Sequence, residues 1–158
     1  MGFKVNLILL LIAALLGALV WWSQPAPTPL LSNLDPASVQ RITIHQQGVE
    51  RPILLTRDKG AWLVDGQPAD GHRIQQFLRL LRTPSLHRFA APDSFQPYGL
   101  ERPTWIVEFD SERFTFGVTD PINGWRYVLY QGTVHLIGDG FRHHLSAPAD
   151  AWREPPDA

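Results

Sequence analysis

Between residues 5 and 22 the chain carries one polar side chain, Asn6, and residues 7–22 carry none. A helix that crosses a bilayer needs about 20 mostly apolar residues, and this stretch falls at the short end of that range. Lys4 extends it by snorkelling, and Trp21 and Trp22 close it with rings that favour the membrane–water interface. A cleaved signal would have a shorter apolar core, about 7–15 residues, followed by a small-x-small cleavage site. Ala26 has Gln24 two positions before it and Pro27 after it, and Ser23 has Trp21 two before it, so neither makes such a site. The pattern therefore predicts an uncleaved transmembrane anchor over 1–23. Lys4 and the amino terminus are the only cations near it, and the next basic residue is Arg41. The positive-inside rule then leaves the N-terminus in the cytoplasm and the rest outside.

Residues 24–31 hold alternate prolines, which favour an extended polyproline spacer. Beyond it the polarity pattern switches to the period of two expected of strands. Ile42 and Ile44 share one face of a first strand, residues 52–57 form a second, and Ala61 to Val64 form a third around Trp62. Asp58-Lys59-Gly60 and Asp65-Gly66 turn the chain between them. A helix then opens at Asp70 as N-cap and stops before Pro84. Ile74, Phe77, Leu78 and Leu81 form its apolar stripe, and His72, Gln75, Arg79 and Arg82 take the other side. Strands return at 105–109, 113–118, 125–130 and 133–137, with turns at Asp110-Ser111 and Gln131-Gly132 and a loop at 120–124. A short helix is expected within 141–152. No fixed period relates the two halves. The fold class is α+β: an N-terminal transmembrane helix, then a mainly antiparallel β domain over 32–158 with one main packed helix.

Charge narrows the function classes. With Lys4 set aside, 13 basic residues face 15 acidic ones, so the domain lacks the basic excess of a nucleic-acid binder. The chain has no cysteine, which removes lipidated cysteine, disulfides and thiolate metal sites together. Six histidines are present, but none stands in a His-x-x-x-His or His-Glu-x-x-His spacing. His143 and His144 are adjacent and unsuited to ligating one ion from regular structure, so no metal is expected. Asp58, Asp65, Asp110, Asp120 and Asp139 fall in turns, where turn formation explains them. Glu108 alternates with Val107 and Phe109 and is expected to face solvent. No Gly-x-Ser-x-Gly elbow, phosphate-cradling loop or dinucleotide fingerprint occurs, so neither a catalytic residue nor a cofactor is assigned.

Several landmarks recur in a suggestive order. Leu34-Asp35-Pro36-Ala37-Ser38-Val39 leads into Arg41-Ile42-Thr43-Ile44. Gly60-Ala61-Trp62, Pro68-Ala69-Asp70, Leu80-Leu81, Tyr98-Gly99-Leu100-Glu101 with Pro103, Phe116-Gly117 and Tyr127-Val128 follow. Over roughly 34–137 this succession resembles the bacterial domain of unknown function family numbered 4340. The resemblance implies a membrane-anchored bacterial protein, related to domains in auxiliary proteins of gliding-type ABC transporters, and it carries over no catalytic residue. This chain is a short form without the further domains of those auxiliaries. The landmarks themselves look structural, with Gly99 suited to a positive φ after Tyr98.

The expectation is thus a single-pass protein of the bacterial cytoplasmic (inner) membrane. It touches the bilayer through its first helix and serves as a non-catalytic interaction or accessory module of an envelope or transporter complex, with an envelope protein as partner. The alternative is an envelope enzyme acting on a small molecule or cell-wall fragment. Candidate contact residues are Arg79, Arg82 and Arg88, which suit an acidic partner or anionic lipid, and Trp125 and Tyr130, which suit an aromatic hot spot if exposed.

Overall fold

The alternation read from the sequence closes into one antiparallel sheet. The computed structural model describes residues 2–23 and 27–155, apart from the side chains at positions 3–5. Two four-stranded meanders make up most of it. The first is β1 (Arg41–Gln46), β2 (Ile53–Asp58), β3 (Ala61–Val64) and β4 (Gln67–Pro68). The second is β6 (Trp105–Phe109), β7 (Glu112–Thr119), β8 (Arg126–Tyr130) and β9 (Thr133–Ile137). Their first strands pair antiparallel, Ile44 opposite Val107 and Ile42 opposite Phe109. A short strand β5 (His87–Ala90) adds to β9, giving the order β4-β3-β2-β1-β6-β7-β8-β9-β5. Each meander is followed by a helix, α2 (Gly71–Leu78) after the first and α3 (Arg142–Leu145) after the second. A plan of four strands and a helix is thus used twice, although no sequence period announces it. The domain is α+β with a mostly antiparallel sheet.

β4 and β5 were not expected. β4 is two residues long and contains Pro68. β5 has no apolar alternation and is a strand because its backbone pairs with β9, Arg88 opposite His135. Two-residue turns with both φ positive, Lys59-Gly60, Asp65-Gly66 and Gln131-Gly132, close three of the hairpins. That hand of turn matches the twist of the flanking strands.

The predicted helix is shorter than its apolar stripe. The Asp70 carboxylate caps it, accepting from Arg73 N–H at 3.1 Å. After Leu78 the chain tightens into a 3-10 turn over Arg79–Arg82. The reason lies in Leu80, which an α-helix would carry away from the stripe. Moving from about 3.6 to 3.0 residues per turn swings it back toward the sheet. Leu80 and Leu81 are both fully buried as a result.

Ile74 and Phe77 seat α2 on the sheet and are also fully buried. Phe77 meets Phe109 at 5.7 Å and Trp152 edge-on at 5.3 Å between ring centroids, geometry that adds to the area buried. Trp152 comes from the C-terminal tail, whose carbonyl accepts Asp70 N–H at 2.9 Å.

The second meander carries a layer on its other face as well. Tyr98-Gly99-Leu100 lies against β7, where the register shifts between Phe116 and Thr119. Gly99 has φ +66, and a Cβ there would come within 2.6 Å of Val118 Cγ1. A Cβ at Gly117 would run into the Tyr98 carbonyl oxygen. Phe89, Tyr98 and Tyr127 pack in sequence behind this contact, tilted at 5.3 Å and edge-on at 4.9 Å between centroids. These landmarks fix a chain-to-strand contact.

The N-terminal helix α1 spans Gly2–Trp22. Every side chain described from 6 to 23 is exposed, with Leu15 at 71% and Trp22 at 91%. The span 6–22 rises about 25 Å at 1.5 Å per residue, short of a hydrocarbon core of about 30 Å. Among the described residues no helix is long and apolar enough to cross a membrane. The Lys4 side chain and spacer residues 24–26 lie outside what is described. The domain begins earlier than 32: Leu30 forms a bridge with Pro84, and Leu31 is buried with its N–H on the Thr83 carbonyl at 2.8 Å.

Two substitutions test this packing. Phe77→Ala should cost about 3–5 kcal/mol, read from urea unfolding of the full chain in mild detergent. Gly117→Ala should destabilise by more than about 2 kcal/mol, because neither backbone can yield cheaply. It should also raise amide exchange across 95–100, whereas Gly138→Ala, where a Cβ meets open space, should leave that exchange unchanged.

Candidate functional site

A cleft of about 280 Å³ opens where the segment 30–33 crosses beside β8, β9 and β5. Leu30 and Leu31 form one wall, with Ser32 and Asn33 following. Arg88 comes from β5, Tyr130 from β8, and Thr133 and His135 from β9. The register explains the convergence. Arg88 sits opposite His135, Ala90 opposite Thr133, and Tyr130 opposite Thr133, so alternate residues of three neighbouring strands point to one side.

The titratable neighbours of Arg88 in the cleft are held uncharged. Burial lowers the pKa of His135, and the Arg88 charge lowers it further. Its Nδ1 lies 2.9 Å from Ser85 Oγ. That hydroxyl donates to the His87 carbonyl at 3.1 Å, so its proton is committed and the imidazole Nδ1–H donates to it. Tyr130 is pushed up to about 12 by burial, then by its hydrogen bond to Glu112 and that carboxylate's charge. Its ring stacks on Phe114 at 4.2 Å and 6°. Gln131 also donates to Glu112, at 3.1 Å. Arg88 is therefore the charged side chain lining the cleft, and no acidic side chain lines it.

The five residues singled out from sequence divide. Arg88 and Tyr130 come together in this cleft. Tyr130 is half-buried, so it offers an edge and a hydroxyl and not an exposed ring. Arg79 and Arg82 are exposed three apart on the 3-10 turn, hence on one side of it, and neither lines the cleft. Trp125 is half-buried after the loop 120–124, where Asp120 accepts from the Asn123 backbone and side chain at 3.0 Å each. That loop leaves Ile122 87% exposed. His135, Thr133 and Asn33 were missed. His135 falls within the strand predicted over 133–137, and nothing in its neighbours signals that β5 lies beside it.

Outside the cleft His144 is the buried histidine among the described residues, and His45, His72, His87 and His143 are exposed. Among the described residues no group of three or more His, Asp or Glu side chains could hold a metal ion. His144 packs against Phe77 at 5.7 Å and Trp152 at 5.8 Å, with His143 3.9 Å away. Burial, then the His143 and Arg73 charges, push its pKa down to about 4. Arg73 lies 5.1 Å over the Trp152 ring. Two of the turn carboxylates hold structure. Asp110 accepts Arg41 N–H at 2.8 Å, and Asp139 pairs with Arg126, whose Nη1 donates to the Gly117 carbonyl at 2.6 Å. Glu108, expected to face solvent, is partly exposed and lies 3.9 Å from Arg113.

Compared with known proteins, the chain matches no family model, no curated protein and no solved structure. The resemblance to the family numbered 4340 rests on its sequence landmarks alone.

His144 makes the domain acid-sensitive. Its folded pKa lies below the ordinary value near 6.5, so the unfolded chain takes up the proton first as pH falls. The His144 contribution to stability is level above about pH 6.5 and is lost toward pH 4. Between pH 7.5 and 4.5 the wild type should lose about 2–3 kcal/mol more than His144→Phe, because each pKa unit is worth about 1.4 kcal/mol. His135 contributes in the same direction. Urea unfolding at the two pH values measures the difference, and parallel losses in both proteins would remove His144 from this role.

Proposed function

We propose that this chain is a single-pass protein of the bacterial cytoplasmic membrane whose α+β domain works outside the cytoplasm as a non-catalytic accessory module of an envelope or transporter complex. The observation that carries the reading is the continuous exposure of apolar side chains along α1. An apolar surface of that extent in water marks a membrane or protein contact. The full helix Gly2–Trp22 rises about 31 Å, against a hydrocarbon core of about 30 Å. Residues 6–22 alone are too short, so the reading depends on the whole helix Gly2–Trp22.

Geometry supports an accessory role over catalysis. The side-chain pair most like a nucleophile and its base, Ser85 and His135, has the serine 2% exposed and its hydroxyl proton given to a backbone carbonyl. A substrate would have to displace that bond inside packed structure. Arg79 and Arg82 on their turn, and Ile122 beside Trp125, are the exposed features suited to a partner. The transporter setting is drawn from the family resemblance.

Membrane fractionation checks the anchor. The full-length chain should stay in the pellet through alkaline carbonate and leave it with detergent. Protease added to spheroplasts should degrade the domain, and the mature N-terminus should fall before residue 23. Release by carbonate, or a mature N-terminus within 23–31, would overturn the anchoring.

A further inference from the structure

The cleft beneath segment 30–33 differs from an ordinary solvated arginine in how its surroundings are committed. Arg88 is exposed at the cleft and forms no ion pair with a described residue. Around it stand groups that hydrogen-bond without bringing negative charge: the Thr133 hydroxyl and the Asn33 amide. Glu112, on β7, is engaged by Gln131 and Tyr130. A guanidinium fork with hydroxyl and amide donors beside it is the donor set that fits a tetrahedral or planar oxyanion. The cleft is small, near the lower bound of about 300 Å³ for ligand pockets, which suits a single headgroup or a small anion.

We propose that this cleft is an anion-binding site in which Arg88 holds a phosphate-type oxyanion, assisted by Thr133 and Asn33. His135 and Tyr130 act as positioning residues. Both remain neutral, so Tyr130 brings no phenolate to compete with a bound anion for Arg88. The same chemistry is offered by an anionic lipid headgroup and by a free phosphate. Leu30 follows Trp22 by eight residues, so the wall of the cleft lies at most about 28 Å of extended chain from the end of α1. Both sources are therefore within reach of a tethered domain. The inference does not need the membrane reading, because the site is built from the domain's own strands.

The test uses the full-length chain in phosphatidylcholine nanodiscs, with inorganic phosphate titrated by calorimetry. Wild type should bind phosphate, and Arg88→Gln should weaken binding at least about tenfold, the effect of losing roughly 1.4 kcal/mol. Arg88→Lys should bind at an intermediate level, since it keeps charge and loses the fork. Arg113→Gln, which removes the same charge from the opposite face of the sheet, should bind as wild type. A parallel set in phosphatidylglycerol nanodiscs separates the sources. If the headgroup occupies the cleft, wild type there should show a higher Tm and a blunted phosphate response, and Arg88→Gln should lose the Tm gain. If the source is soluble, both lipids should give the same phosphate affinity. Absence of any Arg88-dependent response in either lipid, or equal losses in Arg88→Gln and Arg113→Gln, would overturn the proposal. Intact near-UV circular dichroism of each variant keeps misfolding from counting as loss of binding. Failure here with carbonate-resistant anchoring would reject the site alone.

Discussion

One wide sheet and very little helix to cover it is the constraint behind most of this domain. Nine strands at about 4.8 Å spacing make a surface several times wider than a helix of about 10 Å diameter. α2 supplies only Gly71–Leu78 and α3 only Arg142–Leu145. The remainder of the face has to be covered by irregular chain, whose backbone groups need partners that a helix would have supplied internally. Those partners are visible. Leu31 and Ser32 N–H groups bond to the Thr83 and Leu81 carbonyls, and Asp70 N–H bonds to Trp152. The Gln46 amide reaches from β1 to the Leu145 and Ala147 carbonyls at 2.7 and 2.9 Å. Large rings fill what aliphatic side chains could not, which is why Phe77, Phe109 and Trp152 meet at the centre.

Irregular cover also leaves gaps. The three backbone layers that meet near β5, namely segment 30–33, β9 and the β8–β9 turn, have no side chain filling the space between them, and the cleft is what remains. Packing accounts for its position. The charge inside it is accounted for separately, since burial keeps His135 neutral while Arg88 stays charged. On the other face the solution is tighter. Chain 98–100 is pressed onto β7 at two positions where only hydrogen fits, so that side offers contact without space.

What could be read from the sequence was what a single face or a single turn dictates. Ile42 with Ile44, and Trp105 with Val107 and Phe109, alternate so plainly that their burial follows. Asp70 capping α2 and the buried set Ile74, Phe77, Leu78 and Leu81 follow for the same reason. The 3-10 turn did not, because Leu80 is drawn inward by the sheet and not by any helical period. β5 was illegible, since His87-Arg88-Phe89-Ala90 becomes a strand through β9, whose His135 is 47 residues beyond its partner Arg88. The site shares that fate. Arg88 and Tyr130 could each be singled out as residue types, but their meeting, and the part of His135, Thr133 and Asn33, depends on a pairing that local pattern does not encode.

The segment before the sheet and the cleft are joined more closely than the division into spacer and domain implies. Leu30 and Leu31 belong to the spacer by composition, yet they form a wall of the cleft and bridge to Pro84. The segment that precedes the sheet in sequence is thus also part of the packing that shapes the cleft. This follows from using the first residues after a spacer as packing for a sheet that lacks enough helix.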